Sequence, residues 1–338
     1  INDIARITGL SRSTVSRVIN QSEHVKDDTR KLVQSAIEEL GYVPNMIARG
    51  LRTESRMIGV VTQDILNPYY IEALYAIEKI CREQGYALLH MNSDNSPDIE
   101  ERNIYHLLSM KVQGIIMLAN MLDSDIRIVS QARGTTHVIT MEGIISGVDS
   151  VTSDPKEGIN AMVEHLLALG HRQVGMAHRS LRSYPSRERE KIFRKRMKKK
   201  GFEVSEDNVF FGDDYIQQID RAYQEGRLPT ALFALNDSTA IRIYGWARER
   251  GLDIPGDLTV VGFDDIQSSE MLQPPLTTIH QPIGRLADLA THMLIDHIEK
   301  RDPFDEMSTQ RVGIGTQFIL RGSTGPPRRD AAQHAICL

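Results

Sequence analysis

The sequence predicts an α/β protein in which a small helical domain precedes a core of two doubly wound parallel-sheet lobes. From Met57 onward, short apolar runs typical of strands covered on both faces alternate with amphipathic stretches of helical period. Strands that alternate with helices form parallel sheets, and residues 57–323 are too many for one such sheet. The predicted strands are MIGVV, YALLHM, VQGIIML, HVIT, QVGMA, TALFAL and LTVVGF, and the predicted helices include residues 69–84, 99–110, 157–169, 189–200 and 238–250.

The composition is that of a folded protein with more than one domain. The chain has 338 residues, of which 41% are hydrophobic and 25% charged, and its two cysteines are Cys81 and Cys337. So few cysteines argue against a disulfide framework and are typical of a reducing compartment. No apolar run approaches the roughly 20 residues of a membrane-spanning helix, and the chain opens directly into a domain pattern. We therefore expect a soluble, cytoplasmic protein without membrane association.

The pattern of residues 4–20 predicts two short helices joined by a tight turn at Gly9. Apolar residues recur at helical spacing on both sides of this glycine, whose missing Cβ suits the turn, and Ser11 is a favourable N-cap for the second helix. The outward face of that helix is polar, so it can bond base edges and phosphates in a major groove. The residues expected to contact DNA there are Arg12, Ser13, Thr14, Ser16, Arg17 and Asn20.

Two interpretations of this segment are open, a DNA-binding helix-turn-helix and an ordinary helical hairpin with a solvated face. The charge distribution bears on the choice. Residues up to Arg56 include nine Lys or Arg against seven Asp or Glu, whereas the whole chain has a net charge of −5. The N-terminal end is therefore cationic and the rest of the chain repels phosphate. Because the excess is modest, phosphate contacts must depend on where the cations lie.

A third helix is predicted after these two, with Asp27 and Asp28 in its first turn and Gly41 at its end. Residues 1–44 would then form the small domain. The following NMIARGLR could form two helical turns, but a helix this short that contains Gly50 is unstable alone. We therefore interpret residues 45–56 as a linker.

A series of short motifs runs in order along the chain. They are TVSRVIN at 14–20, ELGYVPN at 39–45, ARGL at 48–51, GHR at 170–172, PTALFALND at 229–237 and VVGFDD at 260–265. Together they resemble the LacI/GalR family of bacterial transcription regulators. The resemblance extends from the first residue to about Ser323, and the ordered series is far more specific than any single motif.

The resemblance implies a regulator that binds a pseudo-palindromic double-stranded operator as a homodimer. In such proteins the paired linkers become helical in the minor groove, where an apolar side chain wedges between base steps. By resemblance, Leu51 would be the wedge, and Ala48 and Arg52 would contact the groove. His24 and Asn45 complete the expected DNA-binding residues.

The resemblance also implies a periplasmic-binding-protein-like core in which the chain crosses between the lobes three times. Lobe one would comprise residues 57–158 and 282–310, and lobe two residues 159–281 and 311–323. Residues 324–338 show neither a core pattern nor a leucine heptad. We therefore expect a disordered tail and a dimer as the assembly.

Polar and aromatic side chains follow several predicted strands. Ligands of open α/β sheets bind beyond the carboxyl ends of the strands, and this set of side chains suits a polyhydroxylated or heterocyclic ligand. Asp237 and Asp265 also follow strands, but an acid there often caps the next helix or satisfies a loop. With the resemblance, the expected effector contacts are Asp64, Tyr69, Tyr70, Arg189, Asn236 and Asp264.

The segment HRSLRSYPSRERE and the residues just after it depart from the family pattern. His178 and Ile192 stand where the family usually has Gly. Three arginines near the expected cleft, Arg182, Arg187 and Arg189, add positive charge. One hypothesis is an anionic effector such as a sugar phosphate or sugar acid, because Arg pairs bidentately with phosphate and carboxylate. The alternative is that the additional arginines belong to a solvated helix face.

Enzyme functions find little support in the sequence. It contains no G-x-S-x-G, no P-loop, no G-x-G-x-x-G after a strand, no His pair at metal-binding spacing and no cofactor motif. We interpret the chain as a repressor controlled by a sugar or sugar derivative. One alternative is a corepressor-dependent repressor that binds a purine or nucleoside, and another is a solute-binding receptor without a transcriptional role. The N-terminal helix-turn-helix argues against the receptor.

Overall fold

The computed structural model describes residues 1–19, 24–42, 56–118, 136–180, 183–300 and 309–328. The chain divides into two compact units, Ile1–Ser55 and Arg56–Leu338. Among the described residues, no helix is both long enough and apolar enough to span a membrane.

The first unit contains three helices around one small core. Gly9 ends the first helix in the left-handed conformation, with φ of 66°, which explains the glycine at this turn. The backbone N–H of Thr14 donates to the Ser11 hydroxyl at 3.1 Å, so Ser11 is the N-cap that the sequence predicts. The helices are α1 (Asn2–Thr8), α2 (Arg12–Ile19) and α3 (Asp27–Glu39), and their buried side chains are Ile4, Val15, Val18, Val33 and Ala36.

The second unit contains the strands and the remaining helices. Every predicted strand is present, within a few residues of its expected position. The strands are β1 (Met57–Thr62), β2 (Ala87–Asn92), β3 (Gly114–Leu118), β4 (His137–Met141), β5 (Asp149–Asp154), β6 (Val174–His178), β7 (Val209–Phe211), β8 (Ala231–Ala234), β9 (Thr259–Val261), β10 (Thr278–His280), β11 (Arg311–Gly315) and β12 (Gln317–Ile319). The helices are α4 (Pro68–Glu83), α5 (Pro97–Ser109), α6 (Lys156–Ala168), α7 (Tyr184–Lys199), α8 (Tyr215–Gln224), α9 (Asp237–Glu249) and α10 (Ile283–Lys300).

Two parallel sheets define the two lobes of this unit. Lobe one is built on a six-stranded sheet in the order β11-β5-β4-β3-β1-β2, and lobe two on a four-stranded sheet in the order β7-β6-β8-β9. The antiparallel pair of β10 and β12 joins lobe two, because Thr277, just before β10, forms a parallel bridge with Val261, the last residue of β9. Each sheet is covered by helices, which is why its central strands are continuous apolar runs. In lobe one, α10 packs so closely that a Cβ on Gly114 would meet Leu294 at 2.7 Å.

The chain passes between the lobes three times, after β5, between β10 and α10, and between β11 and β12. The predicted boundary at residue 311 is wrong, because β11 pairs in parallel with β5 in lobe one. The last passage comes only at Thr316, whose hydroxyl donates to the carbonyl of Asp154 at 3.0 Å. In RVGIG, the alternating Val312 and Ile314 indicate a strand but not the sheet that it joins, so its placement depends on pairing with a strand far away in sequence.

The prediction of a disordered tail is wrong for residues 324–328. The Thr324 hydroxyl lies 2.9 Å from His165 Nε2, and the Gly325 carbonyl lies 2.8 Å from the buried His171 Nε2. Gly325 also exchanges two 3.1 Å hydrogen bonds with Thr259. Residues 324–328 are therefore part of lobe two, and the rest of the predicted tail, 329–338, lies outside the described residues.

We expect a chain that ends at Ser323 to be less stable than one that ends at Arg328. The shorter chain lacks Gly325, so His171 and Thr259 lose buried partners. A buried polar group left unsatisfied costs roughly 1–3 kcal/mol, so the loss of partners at both residues should lower the free energy of unfolding by roughly 2–6 kcal/mol. Urea unfolding of the two chains measures this difference. Equal unfolding midpoints would show that residues 324–328 contribute nothing to the fold.

Candidate DNA-binding face and effector cleft

Helix α2 presents the polar face that the sequence predicts. Arg12, Ser13 and Arg17 are exposed, while Thr14 and Ser16 are partly buried. Ser11 joins this face, since its hydroxyl lies 2.7 Å from that of Ser13 and 2.8 Å from that of Thr14. Among the described residues, no acid forms an ion pair with the arginines of this face, so they are available to a phosphate or a base. His24 is also exposed, and the other expected DNA contacts, Asn20, Asn45, Ala48, Leu51 and Arg52, lie outside the described residues.

Two tyrosines at the start of α4 form the aromatic part of the cleft. Asn67 caps this helix through the backbone N–H of Tyr69, and Pro68 occupies its first position. Both rings are buried, with their centroids 5.4 Å apart at an angle of 85°. The Tyr70 hydroxyl donates to Gln63 Oε1 at 3.0 Å, whereas the Tyr69 hydroxyl has no partner among the described residues. Burial raises the pKa of both phenols, so both remain protonated donors.

Arg189 of α7 is buried at the centre of the cleft, with 6% of its surface exposed. One terminal nitrogen donates to the Leu235 carbonyl at 2.6 Å and to Asp264 Oδ1 at 3.2 Å. The other lies 3.9 Å from Glu142 Oε2, and the guanidinium carbon lies 3.7 Å from the centre of the Phe263 ring. The Nε–H is buried without an acceptor among the described residues.

Three further residues, which the sequence did not indicate, line the polar region around Arg189. Glu142 follows β4, and the backbone N–H and the hydroxyl of Ser153 both contact its carboxylate. Ser153 also contacts Gln281 Oε1 at 2.7 Å, and the Gln281 amide donates to Asp264 Oδ1 at 2.6 Å. The rule that identified Asp64, a polar residue just after a strand, also applies to Glu142. Nothing local marks Ser153 or Gln281.

The polar groups around Arg189 do not favour an anionic ligand. Burial raises the pKa of Glu142 and raises the pKa of Asp264 to about 8, while the nearby guanidinium of Arg189 acts in the opposite direction on both. The terminal nitrogens of Arg189 already have protein partners, the Leu235 carbonyl and the carboxyl groups of Asp264 and Glu142. Arg187 is exposed on α7, and Arg182 lies outside the described residues. The arginines thus give less support to an anionic effector than the sequence suggested.

The last two expected contacts have structural partners as well. Asp64 accepts the backbone N–H of Leu66 at 3.0 Å and lies 3.4 Å from Arg179 of lobe two. Asn236 caps α9 through the backbone N–H of Thr239, and its amide nitrogen lies 3.4 Å from His178 Nε2. Burial lowers the pKa of His178 to about 4, so this imidazole is neutral near pH 7.

The surroundings of Asp237 and Asp265 fit a structural role rather than ligand contact for these two acids. Asp237 is fully buried and accepts hydrogen bonds from the Ile266 backbone, the Ser269 hydroxyl and the Thr278 hydroxyl; Asp265 contacts His280 and Arg321. All of these partners belong to lobe two. Among the described residues, no group of three His, Cys, Asp or Glu side chains is arranged to hold a metal ion.

Comparison with known proteins identifies both parts of the chain. Residues 1–45 match the family model described as bacterial regulatory proteins, lacI family, and residues 163–324 match a periplasmic binding protein-like domain. The chain is 30% identical over 329 residues to the HTH-type transcriptional repressor PurR of Haemophilus influenzae strain PittEE, which covers 96% of this chain and 98% of the relative. The chain belongs to the LacI family of bacterial regulatory proteins.

Solved structures agree with this assignment. The Lac repressor dimer bound to operator and the anti-inducer ONPF is 27% identical with a TM-score of 0.80, and the match covers 96% of this chain and 98% of that one. A complex of the transcriptional regulator CelR with cellobiose is 25% identical with a TM-score of 0.69, over 95% of this chain and 98% of that one. The predicted family and fold class are thus confirmed, and the relatives named here are regulators rather than enzymes.

We expect Asp264→Asn to weaken the pH dependence of this protein's stability. Because the folded-state pKa of Asp264 is about 8, the folded protein holds a proton between roughly pH 4 and 8 that the unfolded chain has released. The free energy of unfolding therefore falls as the pH rises through this window, by at most about 1.4 kcal/mol per pH unit from this group. Asn cannot titrate, so the variant should lose this contribution.

Urea unfolding at pH 5, 6, 7 and 8 gives the slope for each protein. Asp207→Asn, at an exposed position on the 3₁₀ turn Glu206–Asn208, is the matched control and should keep the parent's slope. Identical slopes for Asp264→Asn and the parent would contradict the assignment of a buried, protonated Asp264.

Proposed function

We propose that this LacI-family repressor binds its operator as a homodimer and that a small molecule in the cleft controls operator affinity. Two buried polar atoms of the cleft carry the proposal, the Tyr69 hydroxyl and Arg189 Nε, because neither has a hydrogen-bond partner among the described residues. Buried polar groups are nearly always bonded, so two such atoms near the carboxyl ends of the strands support a ligand site. Because the same chain contains a helix-turn-helix, a ligand bound at that site can change operator affinity.

For DNA recognition, we propose that Arg12, Ser13 and Arg17 read bases while Thr14 and Ser16 mainly hold phosphates. The exposure of the first three and the partial burial of the other two support this division. The roles of Asn45, Ala48, Leu51 and Arg52 in the minor groove, and of Asn20 and His24, rest on the family resemblance.

For the effector, we propose a sugar or sugar derivative. Donors and acceptors surround the cleft, as a polyhydroxylated ligand requires, and the similar regulator CelR is a cellobiose complex. A purine or nucleoside is the second candidate. The PurR name of the relatives and the buried edge-to-face pair of Tyr69 and Tyr70 favour it, because a heterocycle can stack on or meet an aromatic ring.

For the assembly, exposed apolar side chains on the surface of the second unit support a homodimer. Ile71 and Tyr75 lie one turn apart on α4 with 51% and 70% of their surfaces exposed, and Met271 and Leu320 are 72% and 58% exposed. Large exposed apolar side chains that cluster on an element mark interaction surfaces. Two helix-turn-helix units held in one dimer gain avidity for a two-fold operator.

We expect Arg17→Ala to weaken binding to the operator more than binding to random DNA. Loss of a base contact should cost roughly 1–3 kcal/mol and relax specificity at one base pair per half-site. Binding titrations with operator DNA selected from a random-sequence library, and with shuffled DNA at the same salt concentration, measure both effects. Equal losses on the two DNAs would show that Arg17 contacts only phosphate.

For the cleft, we expect Tyr69→Phe to reduce effector affinity at little cost in stability. The substitution removes a hydroxyl that has no protein partner, so the folded protein loses no described hydrogen bond. Tyr70→Phe is the matched control, because its hydroxyl bonds Gln63 and its loss should lower the free energy of unfolding by about 1 kcal/mol.

Thermal shift against sugars, sugar phosphates, sugar acids, purines and nucleosides identifies the effector, since a ligand that prefers the folded state raises the melting temperature. Operator titrations with and without that effector then compare the variants. A Tyr69→Phe protein that responds like the parent would exclude the hydroxyl from the site.

A further inference from the structure

A cavity of about 180 Å³ lies where the first passage between the lobes meets α7. Lobe one contributes strands β5 and β11, and lobe two contributes the first turns of α7. This crossover cavity is lined by Glu142, Thr152, Ser153, Asp154, Pro155, Lys156, Tyr184, Pro185, Glu188, Arg189, Ile192 and Gly313. Of the expected effector contacts, only Arg189 lines it. The cavity therefore adds a set of residues that neither the strand-end rule nor the family resemblance identified.

Two buried ionisable side chains belong to the wall of the crossover cavity. Arg189 is 6% exposed and Glu142 is 3% exposed, so both are more than nine-tenths buried. The carboxylate of Glu142 is occupied by the backbone N–H and hydroxyl of Ser153. Arg189 Nε–H, in contrast, has no acceptor among the described residues. A hydroxyl or carbonyl oxygen of a ligand would satisfy this donor.

The outer wall offers groups of both hydrogen-bonding kinds. The half-buried Tyr184 has a hydroxyl that bonds no described residue, and burial raises its pKa, so it remains a donor. Glu188 provides carboxylate oxygens, one of which bonds the exposed Lys191 at 3.0 Å. Lys156 is turned to Asp154, 3.2 Å away. Hydroxyl groups, which both donate and accept, match this alternation of donor and acceptor.

The balance of charge determines what the cavity excludes. Its lining contains three carboxyl groups, Glu142, Asp154 and Glu188, against two cations. Each cation already has an acid of the lining beside it, since Lys156 pairs with Asp154 and a terminal nitrogen of Arg189 lies 3.9 Å from Glu142. A phosphate or carboxylate would therefore lie beside three carboxyl groups without a cation of the lining that lacks an acid partner. Like-charge contact of this kind disfavours binding more strongly than a missing contact does.

We propose that the crossover cavity holds a hydroxyl-bearing part of an uncharged effector, and that Tyr184 and Glu188 are specificity-determining residues for it. This inference rests on the proposed function, because it extends the same cleft beyond Arg189. It also gives the ligand contact with both lobes at the segment that joins them. A ligand seated there is positioned to change the angle between the lobes, which is the motion that an effector must bias.

The test uses the full chain and pairs of small molecules that differ in charge. Ribose and glucose are compared with ribose 5-phosphate, glucose 6-phosphate and gluconate by thermal shift, with adenine and adenosine as uncharged molecules of the second candidate class. Calorimetric titration of the best ligand then compares the parent with Tyr184→Phe, Glu188→Gln and the control Glu190→Gln. Glu190 lies on the same helix, pairs with Arg194 at 2.9 Å and does not line the cavity.

We expect an uncharged, hydroxyl-bearing molecule to raise the melting temperature and its anionic counterpart to leave it unchanged. Tyr184→Phe and Glu188→Gln should each raise the Kd about tenfold, the effect of one lost hydrogen bond to a well-placed partner, and Glu190→Gln should stay within about twofold of the parent. Unchanged affinity in both cavity variants overturns the inference, as does tighter binding of an anion or a panel in which no uncharged member binds.

Operator titrations separate this inference from the proposed function. If the bound ligand changes operator affinity but the cavity variants bind it like the parent, the cavity assignment fails and the proposed function stands. If the ligand binds with the expected variant pattern but operator affinity does not change, the cavity assignment stands and control of DNA binding fails. Circular dichroism of each variant verifies its fold, and either single variant suffices if the other does not fold.

Discussion

The arrangement of the cleft depends on one buried guanidinium. Removing a charged group from water costs several kcal/mol unless it is paired and hydrogen-bonded, so the burial of Arg189 forces its partners to converge. The Leu235 carbonyl at the end of β8, the Asp264 carboxylate after β9 and the face of Phe263 all meet it. This convergence fixes α7 against the strand ends of lobe two. Because these contacts hold α7 in lobe two, the first turns of the helix can place Tyr184 and Glu188 against lobe one.

The same guanidinium is connected to the segments that join the lobes. Asp264 accepts from Gln281, which lies where the chain returns to lobe one, and Gln281 contacts Ser153 beside the first passage. Ser153 in turn bonds Glu142, which faces Arg189 again. Networks of buried polar groups are satisfied in few arrangements, so a ligand that takes one partner shifts the balance of the others. Under the proposed function, this network would connect an occupied cleft to the angle between the lobes.

The charged groups around Arg189 show why residue types alone led to the hypothesis of an anionic effector. The arginines near α7 suggested an anion, and the two acids that flank Arg189 in the sequence, Glu188 and Glu190, pair with Lys191 and Arg194 instead of with Arg189. In the fold, Asp264 and Glu142 approach it from positions far along the chain. Sequence spacing carries no information about such pairs, because the Coulomb energy depends on distance in space and on burial. The net charge of a cleft can be counted only after its walls are assembled.

By itself, the sequence determined the features that depend on local or periodic signals. Apolar runs located the strands of both sheets, Gly9 and Ser11 defined the helix-turn-helix, and polar residues after strands indicated Tyr69, Tyr70 and Asp264. Only the tertiary structure assigned β11 to lobe one and packed residues 324–328 on lobe two, since a short segment does not specify which distant part of the chain it pairs with. It alone also brought Ser153 and Gln281 together. Such residues acquire their role from distant partners, and burial rather than local pattern makes those contacts obligatory.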